Sequence, residues 1–225
     1  MHKNSQNYLA IIGDIVGSRS LNPAERAQVQ KRFQAVLEGI NKPFKDEIAS
    51  LFLITTGDEA QGILRRPNYC YQIIRKIQLE LVPTELVFGL GYGPITTEIG
   101  EFAVGADGPA FYFARQSLNE AKDDRKAYGR SIIREVRFHS NDPLRDKIID
   151  ALFLAVAVIK SRWTDKQAKI LNLLENKKSP IEVARLLNVP LSNVSRTVDN
   201  SDFREFEYLV ESLQTILKDG FVNIT

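Results

Sequence analysis

Hydrophobic and polar positions alternate between two periods along the first two thirds of the chain. Tyr8 to Ile12 is a short apolar run that ends in Gly13-Asp14, which predicts a strand. Asn22-Pro23 is a helix-start signal, and Val29, Phe33, Val36, Leu37 and Ile40 follow at helical spacing as far as Asn41. Leu51 to Ile54 predicts a second strand, Thr56-Gly57-Asp58-Glu59 a hairpin turn, and Ala60 to Leu64 the returning strand. Pro67 opens a helix with Tyr71, Ile74, Ile77 and Leu81 on one face. Leu86 to Tyr92 reads as a third main strand. A loop through Gly100 and Gly105 leads to a helix from Gly108-Pro109 to about Lys122, and Ile132 to Phe138 as a last strand. After Asn141-Asp142-Pro143 the pattern is helical throughout: 144–161, 164–176, 179–187, 191–199 and 202–218.

The order β-α-β-β-α-β-α-β predicts an α/β (α+β) ferredoxin-like palm, an antiparallel sheet with helices on one face. The change of character after residue 142 divides the chain into 1–142 and an all-helical 143–225, joined by the 144–161 helix.

A length of 225 residues suffices for one large or two modest domains, and 44% hydrophobic with 26% charged residues is a soluble globular composition. No apolar run reaches the roughly 20 residues of a membrane span; Ala151 to Ile159 is about half that and reads as a buried helix, so no membrane partner is expected. The first residues, MHKNSQNY, lack the apolar stretch of an export signal. Cys70 is the single cysteine, which excludes an internal disulfide or a thiolate metal cluster, and its apolar neighbours make it a small buried hydrophobe. A reduced, cytoplasmic setting is the expectation. The net charge of +2 conceals a local asymmetry. Residues 160–196 hold eight basic and three acidic groups (+5), and residues 197–225 hold two and six (−4).

Two segments carry candidate chemistry: IIGDIVGSRS at 11–20 and LITTGDEAQGIL at 53–64. Each is an apolar strand ending in Gly-Asp and a sharp turn. Mg²⁺ or Mn²⁺ takes hard oxygen ligands, commonly one or two carboxylates with phosphate oxygens and water. Asp14 and Asp58 are the candidate metal ligands, with Glu59 as a third oxygen donor or a solvated hairpin residue. Gly17 allows close backbone approach, Ser18 and Arg19 supply phosphate donors, and a helix N-terminus follows. Taken singly, each Asp reads equally as a capping or turn residue. The run Gly89-x-Gly91-x-Gly93-Pro94 lacks the spacing of a dinucleotide fingerprint and fits close strand packing better.

GDIVGSR resembles the Asp-Ile-x-Gly loop of class III nucleotidyl cyclases, and TTGDEAQGIL resembles their second Gly-Asp hairpin and the GGDEF hairpin of diguanylate cyclases. VFGLGYGPI and VGADGPAFYFARQSL stand where cyclases carry a Gly-rich strand and a Gly…Val-Asn-x-Ala-x-Arg helix. The order GDIVGSR, TGDEAQG, GPAF, with a helical C-terminal module, resembles the SatD family over nearly the whole chain. The resemblance implies a cyclase-type palm and nucleotide or divalent-metal binding. It also implies missing catalytic parts: Ile54 stands at the ungapped position of the base-reading Lys, and no residue matches the transition-state Asn. Arg115 matches the cyclase Arg only with a shifted alignment and reads equally as a solvated helix residue near Glu120.

In the C-terminal part, Ser179-Pro180-Ile181-Glu182 is a capping box, and IEVARLLNVPLSNVSRTVDN resembles winged or sigma-type helix-turn-helix motifs. In such motifs the second helix enters the major groove of double-stranded DNA. Ser192, Asn193, Ser195, Arg196 and Thr197 are the candidate base readers. Lys177 and Lys178, with Lys166, Lys169 and Arg185, are the candidate phosphate contacts. A protein-interaction role for the same helices stays open, since Asp199 lies within the second helix. The apolar stripe Phe206, Leu209, Val210, Leu213, Ile216, Leu217 is core or a homodimer contact. The expected function is a bacterial transcriptional regulator with a catalytically degenerate nucleotide-sensing domain. The alternatives are an active metal-dependent nucleotidyl enzyme and a non-catalytic scaffold.

Overall fold

A computed structural model describes residues 6–128 and 135–221. Strands β1 (Asn7–Ile15), β2 (Ile48–Thr56), β3 (Glu59–Leu64), β4 (Leu86–Pro94) and β5 (Val136–His139) form one sheet in the order β2-β3-β1-β4-β5. β1 pairs antiparallel with β3 and β4, and β2 with β3, as a palm requires; β5 adds parallel to β4. The last strand is shorter than expected, and residues 132–134 of that expectation lie outside the described residues.

Alternate residues of each strand serve opposite faces, because the side-chain period of a strand is two. Leu9, Ile11 and Ile15 of β1 join Phe52, Leu64, Phe88 and Leu90 in one core. Helices α1 (Pro23–Asn41) and α2 (Cys70–Leu81) close this face with Phe33, Leu37, Ile40, Ile73, Ile74 and Ile77. Ala10, Ile12, Ile63 and Val87 point the other way and meet Ala110, Ala114, Leu118 and Ala121 of α3 (Pro109–Tyr128). Helices on a single face are therefore corrected to helices on both. The parallel β4-α3-β5 crossover carries α3 over the far side of the sheet. The glycines make this possible: a Cβ at Gly89 or Gly91 would stand 2.1 Å from the carbonyl oxygen of Ala114 or Ala110. Close packing, the reading favoured for this run, is what they provide.

Between β4 and α3, residues 95–108 run back across the sheet to its outer edge. The Leu51 N–H donates to the Glu101 carbonyl (2.8 Å), and the Ser50 hydroxyl to the Gly100 carbonyl (2.6 Å). The Asn41 side chain pairs with both the N–H and the carbonyl of Phe52 at 2.9 Å.

Helices α4 (Pro143–Ser161), α5 (Asp165–Glu175), α6 (Pro180–Leu187), α7 (Leu191–Asp199) and α8 (Phe203–Asp219) complete the chain. α4 and α8 share the α1/α2 core through Ile149, Phe153, Val156, Phe206, Leu213 and Leu217. α5, α6 and α7 enclose a small cluster of their own, Ile170, Val183 and Val194. A buried ionic contact ties α5 to α2: the Arg75 guanidinium donates to Glu175 (2.9 Å) and Asn172 (2.6 Å), and Tyr71 donates to Glu175 (2.7 Å). Cys70 is fully buried at the start of α2, and burial pushes its thiol well above the usual range, as befits a packing residue. Among the described residues no helix is long and apolar enough to cross a membrane.

Candidate functional site

The sheet brings the two Gly-Asp segments together at one end. β1 and β3 pair with Asp14 opposite Glu59, and the Ile15 N–H donates to the Asp58 carbonyl (3.2 Å). Gly57, at φ +60°, makes the left-handed turn that places Asp58 beside β1. Gly13 carries no side chain because the Phe88 ring occupies that space; a Cβ would lie 2.7 Å from it. Asp14 is thus fixed at the mouth of the site by the packing beneath its neighbour.

Beyond β1 the chain turns at Gly17 (φ +71°) into a single 3₁₀ turn, Ser18–Ser20. Ser18 is buried, and its hydroxyl donates to the Asp58 carboxylate. Arg26 Nε donates to the Ser18 carbonyl (3.2 Å), and the Ser20 hydroxyl to the Gly17 carbonyl (2.7 Å). The loop is therefore held by its own bonds, with Gly17 and the Arg19 side chain exposed. The N-terminus of α1 is not the open anion site expected from sequence. Asn22 and Glu25 form a capping box there, with the Glu25 N–H on Asn22 Oδ1 at 2.9 Å and the Asn22 N–H on Glu25 Oε2 at 3.1 Å.

Two cations from α3 reach into the carboxylates. Lys122 Nζ stands 2.9 Å from Asp14 Oδ2. Arg115 grips Glu59 with both terminal nitrogens, the Nη2–Oε1 bond being 2.7 Å. Gln61 donates to Glu59 at 3.0 Å. Glu59 is therefore clamped by Arg115 and Gln61 rather than free in solvent. Arg115 belongs to it and not to Glu120, which bonds Gln116 and His139 instead. Lys122 is the residue that sequence reasoning missed. The signal was available: positions 115 and 122 lie two helical turns apart, on one face of α3.

Electrostatics follow the geometry. Burial pushes the Asp14 carboxyl above its ordinary value; Lys122 pulls it back only in part, and Asp58 and Glu59 push the same way as burial. Burial also pushes Glu59 up, but the Arg115 and Gln61 hydrogen bonds outweigh it and hold Glu59 below the usual range. The Arg115 guanidinium is raised in return, chiefly by its bond to Glu59. Asp14, Asp58 and Glu59 are hard oxygen donors of the type a divalent cation prefers. In the arrangement described, Lys122, Ser18 and Arg115 occupy them. Among the described residues no group of three or more His, Cys, Asp or Glu stands positioned to hold a metal ion. Ile54 is half-buried against the α1/α2 core and takes no part in the site.

The residues singled out in α7 lie elsewhere. Ser192, Asn193, Ser195 and Arg196 are exposed, while Val194 between them is buried in the three-helix cluster. Thr197 is half-buried and donates to the Asn193 carbonyl (2.8 Å); Ser195 donates to the Leu191 carbonyl (3.3 Å). Lys177 and Lys178 are exposed in the α5–α6 turn, and Lys166, Lys169 and Arg185 are exposed on α5 and α6.

Solved structures similar to this chain include the guanylyl cyclase Cya2, at 15% identity and a TM-score of 0.41, covering 53% of this chain and 73% of that one. A bacterial light-regulated adenylyl cyclase, at 14% identity and a TM-score of 0.41, covers 60% of this chain and 77% of its own. No curated protein matches the sequence. The SatD family model matches residues 8–203, most of the sheet and helices described above, and the chain belongs to the SatD family.

Proposed function

We propose that this protein is a ligand-responsive DNA-binding regulator with a degenerate nucleotide site. Residues 1–142 act as the sensing unit and 143–225 as the reading unit. The observation that carries the first half is the convergence of Asp14, Asp58 and Glu59 at one end of the sheet, beside a loop in which Gly17 and Arg19 are exposed and the buried Ser18 bonds Asp58. Asp14 and Asp58 would hold Mg²⁺ or Mn²⁺, with Glu59 as a further oxygen. Gly17, Ser18 and Arg19 would meet the phosphates of a nucleotide. Such a cation has to displace Lys122 from Asp14, and Ser18 has to release Asp58. The intrinsic Lys122–Asp14 and Arg115–Glu59 pairs favour binding over turnover, because both cations are already spent on carboxylates. If Arg115 were instead free to meet a developing phosphate charge, it would be the catalytic residue of an active nucleotidyl enzyme.

The second half rests on α6 and α7. Their short connection through Asn188 (φ +51°), Val189 and Pro190, and the small Ala184 in the cluster, support reading them as a helix-turn-helix. Its exposed face would read duplex DNA with Ser192, Asn193, Ser195, Arg196 and Thr197, steadied on phosphates by Lys177 and Lys178. α4 is the physical link, since it packs on the sheet core and on α8.

Thermal melting with a nucleotide panel, with and without Mg²⁺ or Mn²⁺, tests the sensing half. A ligand at 100 times its Kd stabilises by about 2.7 kcal/mol, several degrees of melting temperature. The expected result is a metal-dependent shift that disappears in Asp14→Asn; no shift with any nucleotide would sink this half. Product formation, lost in Asp14→Asn and Arg115→Ala, would replace the sensor by the enzyme. Fluorescence anisotropy on duplex DNA tests the reading half, with Arg196→Ala expected to weaken binding. Equal DNA affinity with and without saturating nucleotide would remove the coupling through α4.

A further inference from the structure

Asp14, Asp58 and Glu59 share one end of the sheet, and two cations from α3 meet them, but the two are not held alike. Arg115 places both terminal nitrogens on Glu59, and Gln61 supports the same carboxylate at 3.0 Å. Such a fork on a planar carboxylate is fixed in direction as well as in charge. Lys122 makes a single ion-pair contact, Nζ to Asp14 Oδ2 at 2.9 Å, from the end of a flexible four-carbon stem. Its side chain is 35% exposed and that of Asp14 14%, so the ammonium is the member of the pair that solvent reaches. It has a freedom to leave that the forked Arg115 lacks.

The charge at the site leaves room for more cation. Three carboxylates face two single positive charges, and Ser18, which donates to Asp58, brings none. Asp14 is accordingly held above its ordinary value: burial is the chief cause, Lys122 offsets it only in part, and the two neighbouring carboxylates add to it. Three residues beyond Asp14 the chain turns at Gly17 toward the exposed Arg19, where phosphates are placed in the reading above. We propose that Lys122 is an exchangeable cation: a divalent ion takes its place on Asp14, and the freed ammonium turns to the phosphates of the ligand. The proposal rests on the reading of Asp14 and Asp58 as a divalent-cation site, and adds that one side chain couples the two binding events. Lys122 opposes the metal when it binds alone and favours the phosphates once the metal is in place. The same residue therefore acts with opposite sign on the two ligands, which is what a coupling residue requires. Arg115 stays on Glu59 throughout.

Two titrations of the full chain test the exchange. Binding of Mn²⁺ alone is read from the electron paramagnetic resonance signal of the free ion. Binding of inorganic tripolyphosphate, added as its Mn²⁺ complex at saturating Mn²⁺, is read by calorimetry. Lys122→Met should bind Mn²⁺ about three- to fivefold more tightly than the wild type and tripolyphosphate about three- to fivefold more weakly, the size of a partly exposed ion pair. Lys122→Arg keeps the charge but grips Asp14 with a fork, and should weaken Mn²⁺ binding. A side chain that only props up the site would lower both affinities in Lys122→Met, and that result overturns the exchange. Unchanged tripolyphosphate affinity in Lys122→Met overturns the coupling. Mn²⁺ binding that is lost in Asp14→Asn but unchanged in Lys122→Met overturns the exchange and leaves the metal site standing. Mn²⁺ binding absent from the wild type and from both Lys122 variants removes the metal site itself, and the exchange with it.

Discussion

At the scale of single residues, the glycines of β4 and the lysine of α3 do the most to shape the site. Gly91 lets α3 lie directly on the sheet; a Cβ there would meet the Ala110 carbonyl at 2.1 Å and the Ala114 nitrogen at 2.2 Å, both backbone atoms that cannot move aside. Gly91→Ala should therefore cost at least about 3 kcal/mol in denaturant unfolding. Gly39, in α1, has nothing within 4 Å of its missing Cβ, and Gly39→Ala should stabilise by about 0.5–1 kcal/mol in the same assay. The Lys122–Asp14 pair makes a prediction in pH. Because the Asp14 carboxyl is raised in the folded state, its contribution is favourable below its unfolded value and is lost as pH rises through the folded one. Lys122→Met removes the ammonium that offsets this loss. The variant should match the wild type near pH 4 and fall below it by about 1 kcal/mol or less at pH 7, the modest size reflecting the exposure of Lys122. Melting curves at the two pH values check the sign.

At the scale of elements, the strands and helices were legible where their period was clean. The paired Gly-Asp turns, the five C-terminal helices and the helix after Pro67 emerge from spacing alone, because each buries one regular stripe. The placement of α3 did not emerge. Its core-facing residues are mostly alanines, Ala110, Ala114 and Ala121, whose small size is what the glycine-lined strand accepts, and a stripe of alanines carries little amphipathic signal. Misplacing α3 on the sheet hides the reach of Lys122 and Arg115 into the carboxylates, so one topological error accounts for the missed part of the site. The α1 N-terminus misled for a related reason. Asn22-Pro23 marks a helix start in sequence, yet Glu25 three residues later closes the same groups it seemed to offer. The caps of the smaller cluster are testable directly. Ser179 accepts the Glu182 N–H at 3.3 Å and donates to its carboxylate at 2.8 Å. Ser179→Ala should loosen α6 by about 1 kcal/mol, read as faster amide exchange in α6 and α7 than in the sheet.

At the scale of the whole molecule, the joint between α2 and α5 adds a buried ion pair to the hydrophobic core that α4 and α8 share with α1 and α2. Arg75 and Glu175 are 11% and 12% exposed, so removing one partner leaves a largely buried, uncompensated charge. Arg75→Met should cost about 3–5 kcal/mol, and the double variant Arg75→Met/Glu175→Leu should recover much of it, since apolar replacement of a buried pair is close to neutral. Chemical denaturation would read both, and a recovered double variant that no longer couples nucleotide to DNA would assign the joint to signalling. The treatment of β2 has a different bearing. Its Leu51 and Phe52 amides are taken up by the Glu101 carbonyl and the Asn41 side chain within the chain, and its Ser50 hydroxyl by the Gly100 carbonyl. The middle of that edge therefore offers no template for a visiting strand, and two copies cannot zip together along it in the way that seeds fibrils. On this side of the sheet, contact between copies is left to side chains, which can be rewritten residue by residue without opening a backbone template.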